Sequence, residues 1–413
     1  MLTFMNLFIN MNFWELSYSL RGFWIKNLLP PRTYRYFSRF IFLFLGPILG
    51  WEILFSPWAY AEASQSIRVL ILKDISDVKL SGEGLALHDL KTGQTLFKNK
   101  SFLIEREAGF RLRLRSPSIS AQGFMVDSSA GSVEIQGRQY RGTLKIIPGP
   151  NRDVWVINIL PLEEYLIGLV NYEISSQWPL EAVKAQVVAA RTFAFYQRSI
   201  RAGEAYDVDS GVSDQVYGGV GREDFRSRQA VQETAGELIL YRGNPIFAVY
   251  SSCCGGKTEP AELMWMGTFP YLQTVECSYC LDSPYFLWNY ALDGERLSMA
   301  LEESSSRSPR ILGLEINERS RTRRVLRMTV RTERDRRQIS GKEFRRLLGY
   351  DLLRSTNFVM TQKDGVYLFS GLGWGHGVGL CQWGARGMAE AGMDHRTILE
   401  YYYQGVQIGK IAR

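Results

Sequence analysis

The residue best suited to proton transfer is Glu173. It lies between Tyr172 and Ile174, with Trp178 just downstream, in a break between two helical stretches. A carboxyl group among apolar and aromatic side chains loses hydration, which raises its pKa. An acid that titrates near neutrality can protonate a leaving group. The same surroundings also suit a carboxylate that merely ends a helix. Lys184, Gln186 and Arg191 follow on the second helix. Their spacing lets only some of them face a common cleft. A solvated role is the alternative for Lys184, and a salt bridge to Glu163 or Glu164 is the alternative for Arg191.

Cysteine supplies a second constellation. Cys253 and Cys254 are followed by Cys277-x2-Cys280. Four thiolates can bind zinc tetrahedrally, and C-x-x-C is a suitable half-site. Two disulfides are the competing reading, one of them joining the Cys253/Cys254 segment to the Cys277/Cys280 segment. Cys381 is left over, a buried thiol or a further ligand near His376. His376 sits in the glycine-dense stretch GLGWGHGVGLCQ (Gly371–Gln382). That stretch lacks the strand–turn–helix context of a dinucleotide fingerprint. Its glycines let the backbone approach a neighbour or ligand. His376 could bind substrate or orient an acid, or it could be structural. No G-x-S-x-G and no H-E-x-x-H occur, which disfavours serine-hydrolase and zincin chemistry.

The elements that must hold these residues follow from periodicity. From Ser66 to Leu160 apolar and polar residues alternate between turn residues, which predicts a β-rich lobe. At LPLEEYLIGLV the period becomes helical. Pro179 then opens a helix to about Arg201, because its missing N–H is no loss in a first turn. Val183, Val187, Ala190 and Ala194 form its apolar stripe. Asp207–Gly221 reads as loop, Ser227–Thr234 as helix and Glu237–Ser251 as a hairpin around Arg242-Gly243-Asn244. Arg310–Thr332 reads as two strands with solvated arginines, Gly341–Leu353 as a short helix and Gln382–Tyr403 as a longer one. The fold class predicted is α+β, with a β-rich lobe at 62–159 and a mixed catalytic region at 160–413.

The chain has 413 residues, 46% apolar and 22% charged, with a net charge of +7. Those values exclude a disordered chain. Near the N-terminus, basic residues precede the apolar run FIFLFLGPILGW, and Ala59-Tyr60-Ala61 follows. This order is that of a secretory signal, cleaved after Ala61 or retained as a membrane anchor over residues 1–61. Either outcome places the rest outside the cytoplasm, in the periplasm or cell envelope. That disfavours nucleic acid and favours a wall polymer as partner.

Three segments resemble the motifs of the stage II sporulation protein D family, which includes amidase enhancers. They are LPLEEYLIGLVNYEISSQWPLEAVKAQVVAARTFAF; VYSSCCGGKTE with PYLQTV; and GWGHGVGLCQWGARGMAEAG with ILEYYYQGVQI. QYRGTLKI is similar to the approach to the first. They occur in the family's order across Arg138–Ile408. The resemblance implies a lytic transglycosylase that cuts MurNAc–GlcNAc bonds of denuded peptidoglycan strands and leaves 1,6-anhydroMurNAc ends. Non-catalytic enhancement of a wall amidase is the alternative, and an amidase is in either case an implied partner. The resemblance assigns the catalytic acid to Glu173, where Ile174 and Ser175 replace the family's Met and Pro. It assigns substrate-cleft roles to Lys184, Gln186, Arg191, Gln215, Tyr217, Ser251, Gly255, Gly256, Thr258, His376, Gln382 and Trp383. No cofactor is required for catalysis, and a structural zinc remains a candidate. The cysteines occur in only some members, so their role transfers weakly.

Overall fold

The computed structural model describes residues 66–301 and 310–410. The signal or anchor segment lies outside the described residues. Among the described residues no helix is long and apolar enough to cross a membrane.

Alternating apolar residues build an eleven-stranded sheet, since successive side chains of a strand point to opposite faces. Its main path runs Val208–Asp209, Ser66–Ile75, Val154–Pro161, Thr143–Pro148, Phe124–Ser128, Asp77–Asp89, Thr95–Glu107, Arg111–Leu114 and Ile119–Ala121. Ser132–Ile135 and Arg138–Arg141 branch from Asp77–Asp89. The strands are antiparallel except at Val208–Asp209, which runs parallel to Ser66–Ile75. Pairs such as Leu85/Leu87, Phe102/Ile104, Phe124/Val126 and Leu144/Ile146 are buried at every second position.

Strand Val154–Pro161 runs directly into helix α1 (Leu162–Glu173). Glu163 and Glu164 occupy the first turn, where the helix dipole favours negative charge. Helix α2 (Leu180–Ile200) starts after Pro179, as predicted. It buries far more than one stripe: Ala182, Val183 and Ala185–Ala194 are all buried. A helix apolar nearly all round belongs inside a core. Here α2 packs against α1, α3 (Phe225–Glu233) and two C-terminal helices.

One apolar cluster draws its buried residues from Ile67 to Cys280 and from Val378 to Val406, so sheet and helices share a core. A second cluster lies between Trp288 and Phe369. It comprises two three-stranded sheets with α4 (Gly294–Leu301) and α5 (Gly341–Leu348). The arginine-rich stretch predicted as two strands forms Ile311–Arg319 and Val325–Thr332.

Two expectations change. The hairpin closes early, Leu238–Tyr241 pairing with Asn244–Pro245. Tyr250–Ser251 instead runs parallel to Leu380–Cys381. The last helix is two, α6 (Gln382–Glu390) and α7 (His395–Tyr402). Asp394 starts the second, its Oδ1 accepting from Thr397 N–H at 2.8 Å.

Candidate active site

Glu173 is the last residue of α1. The loop after it is pinned from α3. Asn171 Oδ1 accepts from Ser176 N–H at 2.8 Å. Asp224, the N-cap of α3, accepts from Ser176 Oγ–H and from Asn171 Nδ2–H. Arg226 donates to the carbonyls of Ser176 and Trp178 at 2.7 and 2.8 Å.

The Glu173 carboxyl accepts from Val216 N–H at 2.7 Å. Tyr250 and Gln382 also hydrogen-bond to it. Burial nonetheless dominates these three donors and raises its pKa to about 7. Among the described residues, the groups that shift it include no second carboxylate. Sequence reasoning missed Tyr250 and Val216; Tyr250 stands beside Ser251 in VYSS, the available signal.

A supporting shell fixes these donors. Gln215 Nε2 donates to Tyr250 Oη at 2.9 Å and to the Ala190 carbonyl at 3.2 Å, and its Oε1 accepts from Tyr165 Oη–H at 3.1 Å. Gln382 Nε2 donates to Gln186 Oε1 at 3.3 Å, leaving Gln186 Nε2 buried without a partner among the described residues. His376 Nδ1 accepts from Val378 N–H at 3.0 Å, so Nε2 carries the proton and donates to the Tyr250 carbonyl at 2.9 Å. Burial first, then Arg345, lower its pKa to about 3. His376 therefore holds the Tyr250 strand as a neutral imidazole.

Beside Gln382 stands a row of half-buried rings. Trp383 meets Trp178 edge-on at 5.1 Å and Tyr285 at 6.2 Å, and Tyr285 meets Trp374 at 4.6 Å. Arg386 lies over Trp383 at 4.8 Å and Arg354 over Trp374 at 5.0 Å. Tyr285 and Arg354 carried no sequence signal, whereas Arg386 lies in the motif GWGHGVGLCQWGARGMAEAG, three residues after Trp383.

Several expected ligand contacts are corrected. Arg191 is 1% exposed, and its guanidinium is saturated by Glu163, Thr234 and the carbonyls of Val231 and Glu237. The salt-bridge alternative is the one realised. Tyr217 is buried between Tyr140 and Tyr165, its hydroxyl donating to Asn158. Thr258 is fully buried and bonds Gln273 and Val275. Lys184 Nζ sits 2.7 Å from both Glu181 and Glu233, joining α2 to α3. Ser251 is buried, with no partner for Oγ among the described residues.

The cysteine set also changes. The compact set of sulfurs is that of Cys254, Cys277, Cys280 and Cys381, and the Cys253 thiol lies beside it, against Cys280 and Cys381. The turn at Gly255 and Gly256 packs on the glycine-dense stretch. Gly373 has φ +78°, and a Cβ there would lie 2.5 Å from the Cys253 carbonyl oxygen and 2.8 Å from Gly255 N. Gly373→Ala combines backbone strain with overpacking, each worth ~1–3 kcal/mol. Urea unfolding should show a loss of about 2–4 kcal/mol.

An α+β fold that brings one desolvated acid to a row of partly exposed aromatic rings defines a site suited to proton transfer. The family model for "Stage II sporulation protein" matches residues 150–241, which include α1, α2 and Glu173. A domain of unknown function matches 273–379, which includes the second core. The chain is 31% identical to "Stage II sporulation protein D" of Bacillus subtilis, over 61% of this chain and 75% of that protein. It is 32% identical to an "Uncharacterized protein" of Brachyspira hyodysenteriae, over 84% and 94%. It is 28% identical to the "Amidase enhancer" of Bacillus subtilis over 68% of this chain, but only 45% of that longer protein. The chain belongs to the stage II sporulation protein D family.

Proposed function

We propose that the protein is an exported lytic transglycosylase that cleaves MurNAc–GlcNAc bonds in denuded peptidoglycan. The observation that carries this is the Glu173 carboxyl, fixed by Val216 N–H and raised by burial to a pKa of about 7, so that a substantial fraction is protonated at neutral pH. Most glycosidases need two carboxylates. A transglycosylase manages with one because the nucleophile belongs to the substrate. Glu173 gives its proton to the glycosidic oxygen as the C1–O bond breaks. The resulting carboxylate then takes the proton of the MurNAc 6-hydroxyl as that oxygen bonds to C1. The acid is regenerated, and the strand ends in 1,6-anhydroMurNAc. An intramolecular attack of this kind gains up to ~7–11 kcal/mol from proximity.

In this reading the rings of Trp178, Trp383, Tyr285 and Trp374 receive sugar faces. Lys184 and Arg191 are tied to protein carboxylates, so Arg354 and Arg386 meet the lactyl carboxylate. Trp383→Ala should raise KM roughly three- to tenfold with kcat nearly unchanged, the effect of one aromatic contact worth ~0.5–1.5 kcal/mol. Steady-state kinetics on denuded glycan measures both. The test of the activity itself is product analysis for anhydro ends after digestion of that substrate. Their absence with folded protein would reject it.

The enhancer relative favours a second reading, a wall-bound partner that stimulates an amidase. Such a role does not need a titrating acid at position 173. Full amidase stimulation by Glu173→Gln, together with absent anhydro ends for the parent protein, would establish it over the first.

A further inference from the structure

We propose that Cys254, Cys277, Cys280 and Cys381 bind one structural zinc ion. All four are buried thiols, and their sulfurs lie within 4.8 Å of one another. Cys254 Sγ and Cys280 Sγ are 3.7 Å apart. A tetrahedral site with Zn–S bonds of ~2.3 Å has sulfur–sulfur edges of about 3.8 Å. A disulfide would need ~2.05 Å and would join one pair only. A cubane iron–sulfur cluster would have to fit several irons and sulfides between the thiols, and the group is too compact for that.

The surroundings suit bound thiolates. Cys381 Sγ accepts from Cys254 N–H at 3.2 Å and from Gly384 N–H at 3.4 Å. Tyr402 Oη lies 3.1 Å from Cys277 Sγ. Such outer hydrogen bonds orient metal ligands. Four thiolates around Zn²⁺ carry two net negative charges. The buried Arg324 guanidinium, which donates to the Cys254 carbonyl at 2.7 Å, supplies a nearby positive one.

The ligands come from three separate segments. Cys254 leads into the Gly255–Gly256 turn, Cys277 is the N-cap and Cys280 the last residue of a 3₁₀ turn, and Cys381 is the N-cap of α6. With four protein ligands no position remains for water, so the ion clamps rather than catalyses. It ties together the segments that bear Gln382 and Trp383.

The full chain, purified without oxidant, should carry about one zinc per molecule by mass spectrometry of the metals, as a closed four-thiolate site requires. After chelation, Co²⁺ should restore strong sulfur-to-metal charge-transfer bands and tetrahedral ligand-field bands. Cys381→Ser should lose the zinc, whereas Cys253→Ser should keep it. The cobalt spectrum of the unmutated chain decides the matter if Cys381→Ser does not fold. Iron in place of zinc, a disulfide among the four with no uptake of Zn²⁺ or Co²⁺ after reduction, or zinc retained by Cys381→Ser would overturn the proposal. Metal content is read independently of any activity on glycan.

Discussion

Glu173→Gln is expected to lower the yield of anhydroMurNAc ends by about 10²–10⁴-fold, the usual contribution of a positioned acid and base. The amide keeps the carbonyl oxygen that accepts from Val216 N–H, so the fold should persist. On the proposed mechanism the parent protein works through the protonated acid. Its kcat/KM should therefore fall as pH rises through about 7. A stability effect of defined sign accompanies this. The ordinary carboxyl pKa is 4.5, and in the folded protein it is about 7. Between those values the native state holds a proton that the unfolded chain has released. The stabilisation is fully present below 4.5 and is lost as pH rises through 7. One pKa unit corresponds to ~1.4 kcal/mol, so the loss approaches about 3 kcal/mol. The Gln variant lacks this dependence. Urea unfolding should show it gaining on the parent protein at mildly alkaline pH and matching it in acid. A variant that is equally active, or equally pH-dependent in stability, would remove Glu173 from its role.

Arg324→Met is expected to cost about 3–5 kcal/mol, the range for breaking a buried ion pair from one side. Arg324 and Glu259 are 1% and 0% exposed, with Arg324 Nε 3.7 Å from Glu259 Oε2. Glu259 also accepts from Ser320 and Thr322. Removal of the guanidinium leaves that carboxylate buried, and burial already raises its pKa. The glycine-dense stretch depends on the same group. Gly377 has φ +76°, and a Cβ there would lie 2.0 Å from Arg324 Nη2. Thermal unfolding monitored by circular dichroism checks this. A change of less than about 1 kcal/mol would mean that the cavity relaxes around the unpaired carboxylate.

Much of this architecture is legible along the chain, for local reasons. Pro179 and the apolar residues after it announce α2, and alternation announces the large sheet. Apolar neighbours mark Glu173. The misplacements have non-local causes. Gln186 and Arg191 are five residues apart, about 140° around a helix, so one faces Gln382 and the other Glu163. The resemblance assigns cleft roles to Tyr217 and Thr258, but a resemblance does not separate the groups that touch a ligand from those that hold the groups in place. Cys381 joins the other thiols through a parallel pairing of two distant dipeptides, Ser251 with Cys381. No spacing rule spans that distance.

The segment around the second core leaves the chain and returns to it side by side, Leu287 pairing with Leu372. Closing a longer loop between fixed ends adds only ~0.6 kcal/mol per doubling of its length. Evolution can therefore lengthen, trim or redecorate this excursion while the Cys277/Cys280 turn and the His376 stretch keep their separation. Arg324 sets the limit on that freedom: it reaches back to Cys254 and Glu259. Any shortened descendant would have to plug the same hole with another cation.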